Sequence, residues 1–143
     1  MEASRSLESV YKLGHTFCYK VNLLVTAWIS TRVPSLSLGL GVSNDQAGME
    51  ECLEKGIYLK ERELEDLKNI VESGQLEKTF ELGCPKFLCL YDGKNTTELT
   101  LTLHPMYGRR INIRQGNRSI YVGYRHFMAL YNELQNVVYG ITV

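Results

Sequence analysis

The sequence predicts an α+β fold of two tandem units, each a set of antiparallel strands followed by a helix. Three observations carry this. Apolar and polar residues alternate at period two through residues 97–124, the pattern of strands with one buried and one exposed face. The spacing then changes to three and four over Phe127, Leu130, Tyr131, Leu134 and Val138, which describes an amphipathic helix. Finally, Ile57, Leu64, Leu67 and Val71 recur 63 residues later as Ile120, Phe127, Leu130 and Leu134, so the plan is written twice.

The first unit is read over residues 1–74. Strand-like stretches cover 16–31 and 35–42, the second interrupted by Gly39 and Gly41, and 43–48 reads as a loop. Residues 56–59 form a short strand ahead of a charged helix over 60–73, whose apolar stripe is Leu64, Leu67 and Val71. Trp28 is expected in the core. The boundary falls at Gly74-Gln75, and the second unit, 75–143, holds four to five strands and a helix over 125–138. Phe80-Glu81-Leu82-Gly83 matches Tyr11-Lys12-Leu13-Gly14 at an offset of 69 residues, so the two stretches read as the equivalent fronts of their units. Residues 86–91 form the next strand, ended by Asp92-Gly93-Lys94-Asn95.

Faces can then be assigned. In 97–104, Leu99, Leu101 and Leu103 point inward, with Glu98, Thr100, Thr102 and His104 opposite. In 109–115, Ile111 and Ile113 point inward while Arg110, Asn112 and Arg114 point outward. Gly116-Asn117 turns the chain into 119–124, where Ile120 and Val122 are inward and Tyr121 outward. The result is a hairpin with an arginine- and tyrosine-bearing outer face.

Composition limits the function classes. The 143 residues are 44% apolar and 22% charged, which argues against disorder, collagen-like repeats and a disulfide-dense scaffold. At this length the chain buries roughly 70% of its unfolded surface, enough for one good core or two small fused ones, and a multi-domain enzyme is not expected. The longest apolar run, 21–29, is broken by Asn22 and Thr26 and is too short to cross a bilayer, so no membrane partner is expected. Glu2 and Glu8 sit where a secretory leader would be basic and apolar, so an intracellular protein is expected. Cys18, Cys52, Cys84 and Cys89 then read as free thiols, and the sequons at Asn95 and Asn117 as unused. Cys84 and Cys89 have no second close pair and no nearby histidine, a poor match to zinc spacing.

The net charge of zero hides a gradient. Residues 1–48 carry four basic and three acidic side chains, 49–83 five and ten, and 84–143 seven and three. The last segment is thus the basic one, and such asymmetry suits an anionic partner. Single-stranded nucleic acid needs cations along its phosphates and flat groups on which bases stack. Arg110, Arg114, Arg118 and Tyr121 offer both on the outer face, and Lys86, Lys94, Tyr107, Arg109 and Tyr91 extend the track. Catalysis has no such support. His15, His104 and His126 lie far apart in no nucleophile or metal motif, and Gly39 and Gly41 are followed by no Lys-Ser/Thr. No cofactor is expected.

The second half resembles the positive cofactor four family of transcriptional coactivators and single-stranded DNA-binding proteins. Phe80-Glu81-Leu82-Gly83, then Lys86 entering a strand, is similar to that family's opening strand pair. Ile111-Asn112-Ile113-Arg114 is similar to its apolar, acid-or-amide, apolar, arginine strand. Arg118 to Val122, with Phe127 and Leu130 following, is similar to its last strand and the start of its helix. The chain departs from the family in an inserted strand at 97–104 and in Gly116-Asn117 standing where an aromatic follows the arginine. The purine-rich-element-binding repeat proteins and the plant whirly proteins use related units. The resemblance implies two curved sheets packed through their helices, which the family builds as a homodimer and two units in one chain could build internally, packed as an intrachain pseudo-dimer. It further implies binding of single-stranded DNA or RNA without catalysis, in transcription or replication and in the nucleus. Arg114 is the first residue carried over, then Arg118, then Lys86. The alternative is a module that binds transcription or replication proteins or dimerises, with no direct nucleic-acid binding, for which the acidic first helix and the nine tyrosines speak.

Overall fold

The computed structural model describes residues 8–13, 16–22, 24–31, 36–42, 56–83, 86–91 and 96–139. The predicted loop at 43–48 and Lys94 lie outside them. Five antiparallel strands come first: β1 (Glu8–Leu13), β2 (Thr16–Lys20), β3 (Val25–Ser30), β4 (Ser37–Val42) and β5 (Ile57–Lys60). They pair in chain order into one sheet. Helices α1 (Glu61–Glu72) and α2 (Gln75–Leu82) follow. A second sheet, again in chain order, is β6 (Lys86–Tyr91), β7 (Thr96–His104), β8 (Gly108–Gln115) and β9 (Arg118–Gly123), and it runs into α3 (Tyr124–Tyr139).

The fold is therefore two antiparallel sheets, each followed by helix, as the periodicity predicts. The 63-residue offset is visible in space: Ile57 and Ile120 are buried on the last strand of each sheet. Leu64 and Leu67 on α1 match Phe127 and Leu130 on α3, all four buried. Both helices follow directly from the last strand of their sheet because the buried residues switch from spacing two to spacing three and four at that point.

One expectation fails. Phe80 to Leu82 belong to a helix, α2, whereas Tyr11 to Leu13 belong to β1, so the two stretches are not equivalent. A strand would place Phe80 and Leu82 on the same face. In α2 the inward stripe is Leu76, Thr79 and Phe80, at helical spacing, and Leu82 is 81% exposed. Gly74 at φ 73° and Gly83 at φ 96° bracket the helix, both in left-handed conformations that a residue with a Cβ adopts only under strain. With α2 helical, β7 is a regular second strand of its sheet rather than an insertion, and β1 is the supernumerary strand of the chain.

The two units share one interior. A single cluster joins Ile29, Leu38 and Leu59 of the first sheet, Leu90, Leu99 and Ile113 of the second, and the inward faces of all three helices. The helices reach across. α1 packs on β4 and β5 and also on β6 of the other sheet, and α3 packs on β8 and β9 and also on β3. A residual cavity of about 10 Å³ between the sheets is lined by side chains such as Leu40, Leu90 and Phe127, and holds no space for a ligand.

Polar links fix the same junction. Gln115 Nε2 donates to the Tyr58 carbonyl at 2.7 Å while Gln115 Oε1 accepts the Tyr58 N–H at 3.0 Å, so one amide caps the outer edge of β5. The same Nε2 donates to Thr97 Oγ1 at 2.8 Å, and the Thr97 hydroxyl donates to the buried carboxylate of Glu63 on α1. At the far side the Tyr19 hydroxyl of β2 donates to Glu133 Oε1 of α3 at 3.2 Å. Burial and this carboxylate push the Tyr19 hydroxyl well above its ordinary pKa.

Candidate functional site

Pairing in the second sheet turns the alternation of each strand into a continuous outer face. Phe87 on β6 stands opposite Thr100 on β7, Thr100 opposite Asn112 on β8, and Asn112 opposite Tyr121 on β9. On one side of this row lie Thr102 and Arg110; on the other lie Cys89, Glu98, Arg114 and Ser119. Ile111, Ile113, Ile120 and Val122, on the alternate positions, hold the opposite face against the core.

Arg110 is the centre of an aromatic cluster. Its guanidinium carbon lies 4.9 Å from the centroid of the Tyr121 ring and 5.5 Å from that of Tyr107. Both distances are those of cation–π contact. Tyr107 is set by its turn: His104 Nδ1 accepts the backbone N–H groups of Met106 and Tyr107 at 3.1 Å each, and the His104 and Tyr107 ring centroids are 4.6 Å apart. Gly108, at φ 73°, closes that turn. Farther along β8, Arg114 is exposed, and its Nε donates to the Gly116 carbonyl at 3.0 Å, which aims the side chain along the β8–β9 turn. Phe87 and Tyr91 on the edge strand are 65% and 57% exposed. Among the described residues of this sheet, Glu98 is the one carboxylate on the outer face.

The residues named from the sequence, Lys94 apart, separate into groups. Tyr107, Arg110, Arg114 and Tyr121 come together on the outer face. Arg109 does not join them, because the alternation turns it to the helix side. There it donates to Glu77 Oε2 of α2 at 2.8 Å, and its guanidinium sits 5.3 Å from the Phe80 ring and 5.8 Å from that of Tyr124. Arg118 leaves the face as well: its guanidinium donates to the Gly56 carbonyl at 3.1 Å and ties β9 to the first unit. Lys86 is exposed on β6, yet it shares parity with Leu88 and Leu90 and so stands on the helix side of the edge. Asn112 and His104, read from the alternation as outward, stand on this face, and Phe87 joins it without having been named. The alternation through Leu88 and Leu90 was the signal that could have found Phe87.

Around Arg109 the electrostatics are those of a clamp. The hydrogen bond from Arg109, and then that from the Tyr124 hydroxyl at 3.0 Å, hold the Glu77 carboxyl below its ordinary pKa. Burial, reinforced by Glu77, pushes Tyr124 up to about 12.

The equivalent face of the first sheet has different chemistry. Its matching row is Cys18, Trp28, Gly39 and Tyr58. Cys18 and Trp28 are buried, and only Tyr58, whose hydroxyl is 2.8 Å from Ser37 Oγ, is exposed. No arginine stands on the described strands of this sheet. Cys18 and Cys89 are free thiols. Among the described residues no three His, Cys, Asp or Glu side chains gather as a metal site, and no helix is long and apolar enough to cross a membrane. No protein-family model, curated protein or solved structure matches the chain.

Proposed function

We propose that the protein binds single-stranded nucleic acid, DNA in the first instance, on the outer face of its second sheet, as a non-catalytic factor of transcription or replication. The observation that carries this is the arrangement of Arg110 between the rings of Tyr107 and Tyr121, with Arg114 one pleat beyond Asn112. Unstacked bases find rings and a planar guanidinium on which to lie, each stack worth roughly 1–3 kcal/mol, while the arginines meet the phosphates. A duplex presents no such unstacked bases, so preference for the single strand follows from the same geometry.

The resemblance to the positive cofactor four family supports the reading through its plan of two strand-then-helix units joined by their helices, and through Arg114. A nuclear location belongs to that resemblance alone. Binding is confined to one half. The first sheet offers no arginine among its described strands, and residues 49–83 carry a net charge of −5 that repels phosphate.

A protein-binding role is the second reading, and the tip of the β7–β8 hairpin favours it. Met106 and Tyr107, 82% and 69% exposed, present apolar surface at that tip beside the arginine cluster. Fluorescence anisotropy of a labelled oligothymidine, with unlabelled duplex as competitor, separates the two. Nucleic-acid binding gives a complex that resists duplex and weakens steeply with salt. Absence of binding at low salt leaves the protein-binding role.

A further inference from the structure

We infer that Phe87 is a second base-stacking site, at the edge of the sheet away from Tyr121, so that a bound nucleic acid crosses all four strands from β9 to β6. The inference rests on the nucleic-acid reading of the outer face and fixes the path taken over it. Phe87, Thr100, Asn112 and Tyr121 stand opposite one another on β6, β7, β8 and β9. A ring therefore closes each end of one row, and both rings are more than half exposed. Three strand spacings of about 4.8 Å separate them by roughly 14 Å. That span takes about four steps of stacked bases at roughly 3.4 Å each, and fewer when the nucleic acid is drawn out.

β6 ends its sheet, and β7 is the strand that pairs with it. An outermost strand is ordinarily blunted by charged side chains, because exposed apolar residues there invite another chain. The outer face of β6 carries none, since its residues are Phe87, Cys89 and Tyr91. What such an edge accepts is set by its surroundings. Arg110 and Arg114 lie two strands in on the same face, and the short polar side chains of Thr100 and Thr102 lie between. Cations beside exposed rings over a polar floor suit the phosphates and bases of a nucleic acid better than an apolar protein surface.

Charge decides how far the path extends along β6. Tyr91 is exposed as well, but it lies beyond Cys89, and Cys89 stands opposite Glu98. That carboxylate, the one on this face among the described residues, repels phosphate and turns the nucleic acid away from Tyr91. Phe87 stands opposite Thr100 and has no carboxylate in its row. Two exposed rings of one edge strand thereby take different roles, and Tyr91 is the internal control for Phe87.

The test measures binding of the full chain to labelled oligothymidine at several salt concentrations, for wild type, Phe87→Ala, Phe87→Leu, Phe87→Trp and Tyr91→Ala. Phe87→Ala and Phe87→Leu should each weaken binding about tenfold, one lost stack, with the salt slope unchanged because no cation is removed. The leucine keeps the side chain apolar and so separates loss of the ring from a folding defect. Phe87→Trp should bind as wild type does, and its emission should be quenched by the stacked base beyond the response of Trp28, which wild type supplies. Tyr91→Ala should bind as wild type. Undiminished affinity in both Phe87→Ala and Phe87→Leu overturns the inference and leaves nucleic-acid binding standing. An equal loss in Tyr91→Ala overturns the path, and absence of quenching in Phe87→Trp overturns the stack. A chain that light scattering finds dimeric without DNA and monomeric as Phe87→Ala gives the edge to a second copy, which overturns the inference too. Failure of wild type to bind at low salt removes the reading beneath it.

Discussion

Arg109 and Arg110 are adjacent in sequence and do opposite work. Arg109 clamps α2 and the start of α3 to the second sheet through Glu77, Phe80 and Tyr124, whereas Arg110 stacks on exposed rings with no carboxylate beside it in the row. Arg109→Ala removes two cation–π contacts and an exposed ion pair, about 1 kcal/mol together, and should lower the melting temperature by about 3 °C with nucleic-acid binding retained. Arg110→Ala also removes two cation–π contacts, so melting should fall by no more than in Arg109→Ala, while oligothymidine binding weakens about tenfold, the value of one lost stack and one lost phosphate contact. Differential scanning fluorimetry and anisotropy on the two variants distinguish the roles, and equal loss of binding in both would contradict them. The opposite orientation of the two residues was legible in the sequence, since alternation through Ile111 and Ile113 sets it. Their partners were not. Glu77 lies 32 positions from Arg109, and Gly56 lies 62 from Arg118, contacts that only the tertiary fold creates.

At the scale of elements, α2 is the piece that local pattern misplaces. Phe80, Leu82 and the glycine after them fit a strand end as well as a helix end, and what decides is the packing of Leu76 and Phe80 into the shared core. The strands from β7 to β9 and the helices α1 and α3 are legible because one face of each is uniformly apolar over at least two turns or several pleats. Since α2 is held by Glu77, its anchorage depends on pH. The folded protein lowers the Glu77 pKa below the ordinary value of 4.5, so this stabilisation is complete at neutral pH. It is lost as pH falls below that ordinary value and through the folded one. Thermal melts of wild type and Glu77→Gln from neutral to strongly acidic pH should therefore show a gap that closes on acidification. A gap that widens toward acid would reverse the sign of the linkage.

For the whole molecule, the shared core makes the two units one cooperative object. The lone tryptophan, Trp28, is in the first sheet, and Phe127 is on the helix that follows the second. Phe127→Ala should cost about 3–5 kcal/mol and shift the Trp28 fluorescence transition by as much as the far-ultraviolet dichroism transition. Two separated transitions would mean two independent units. The duplicated plan was legible from residues repeating at a fixed offset and the basic character of the second unit from the charge gradient, but which outer-face residues are covered was not. The fold buries Trp28 and Cys18 in the first sheet and leaves Tyr121 exposed beside Arg110 in the second. That inequality makes the second sheet the place to test. The most direct measurement is the salt dependence of oligothymidine binding for wild type and for the double variant Arg110→Ala, Arg114→Ala. Wild type should bind with a steep slope, and the double variant should bind more weakly with a slope shallower by roughly 1.4, two phosphate contacts at about 0.7 each. An identical slope and affinity in the two proteins would contradict a nucleic-acid interface on this face.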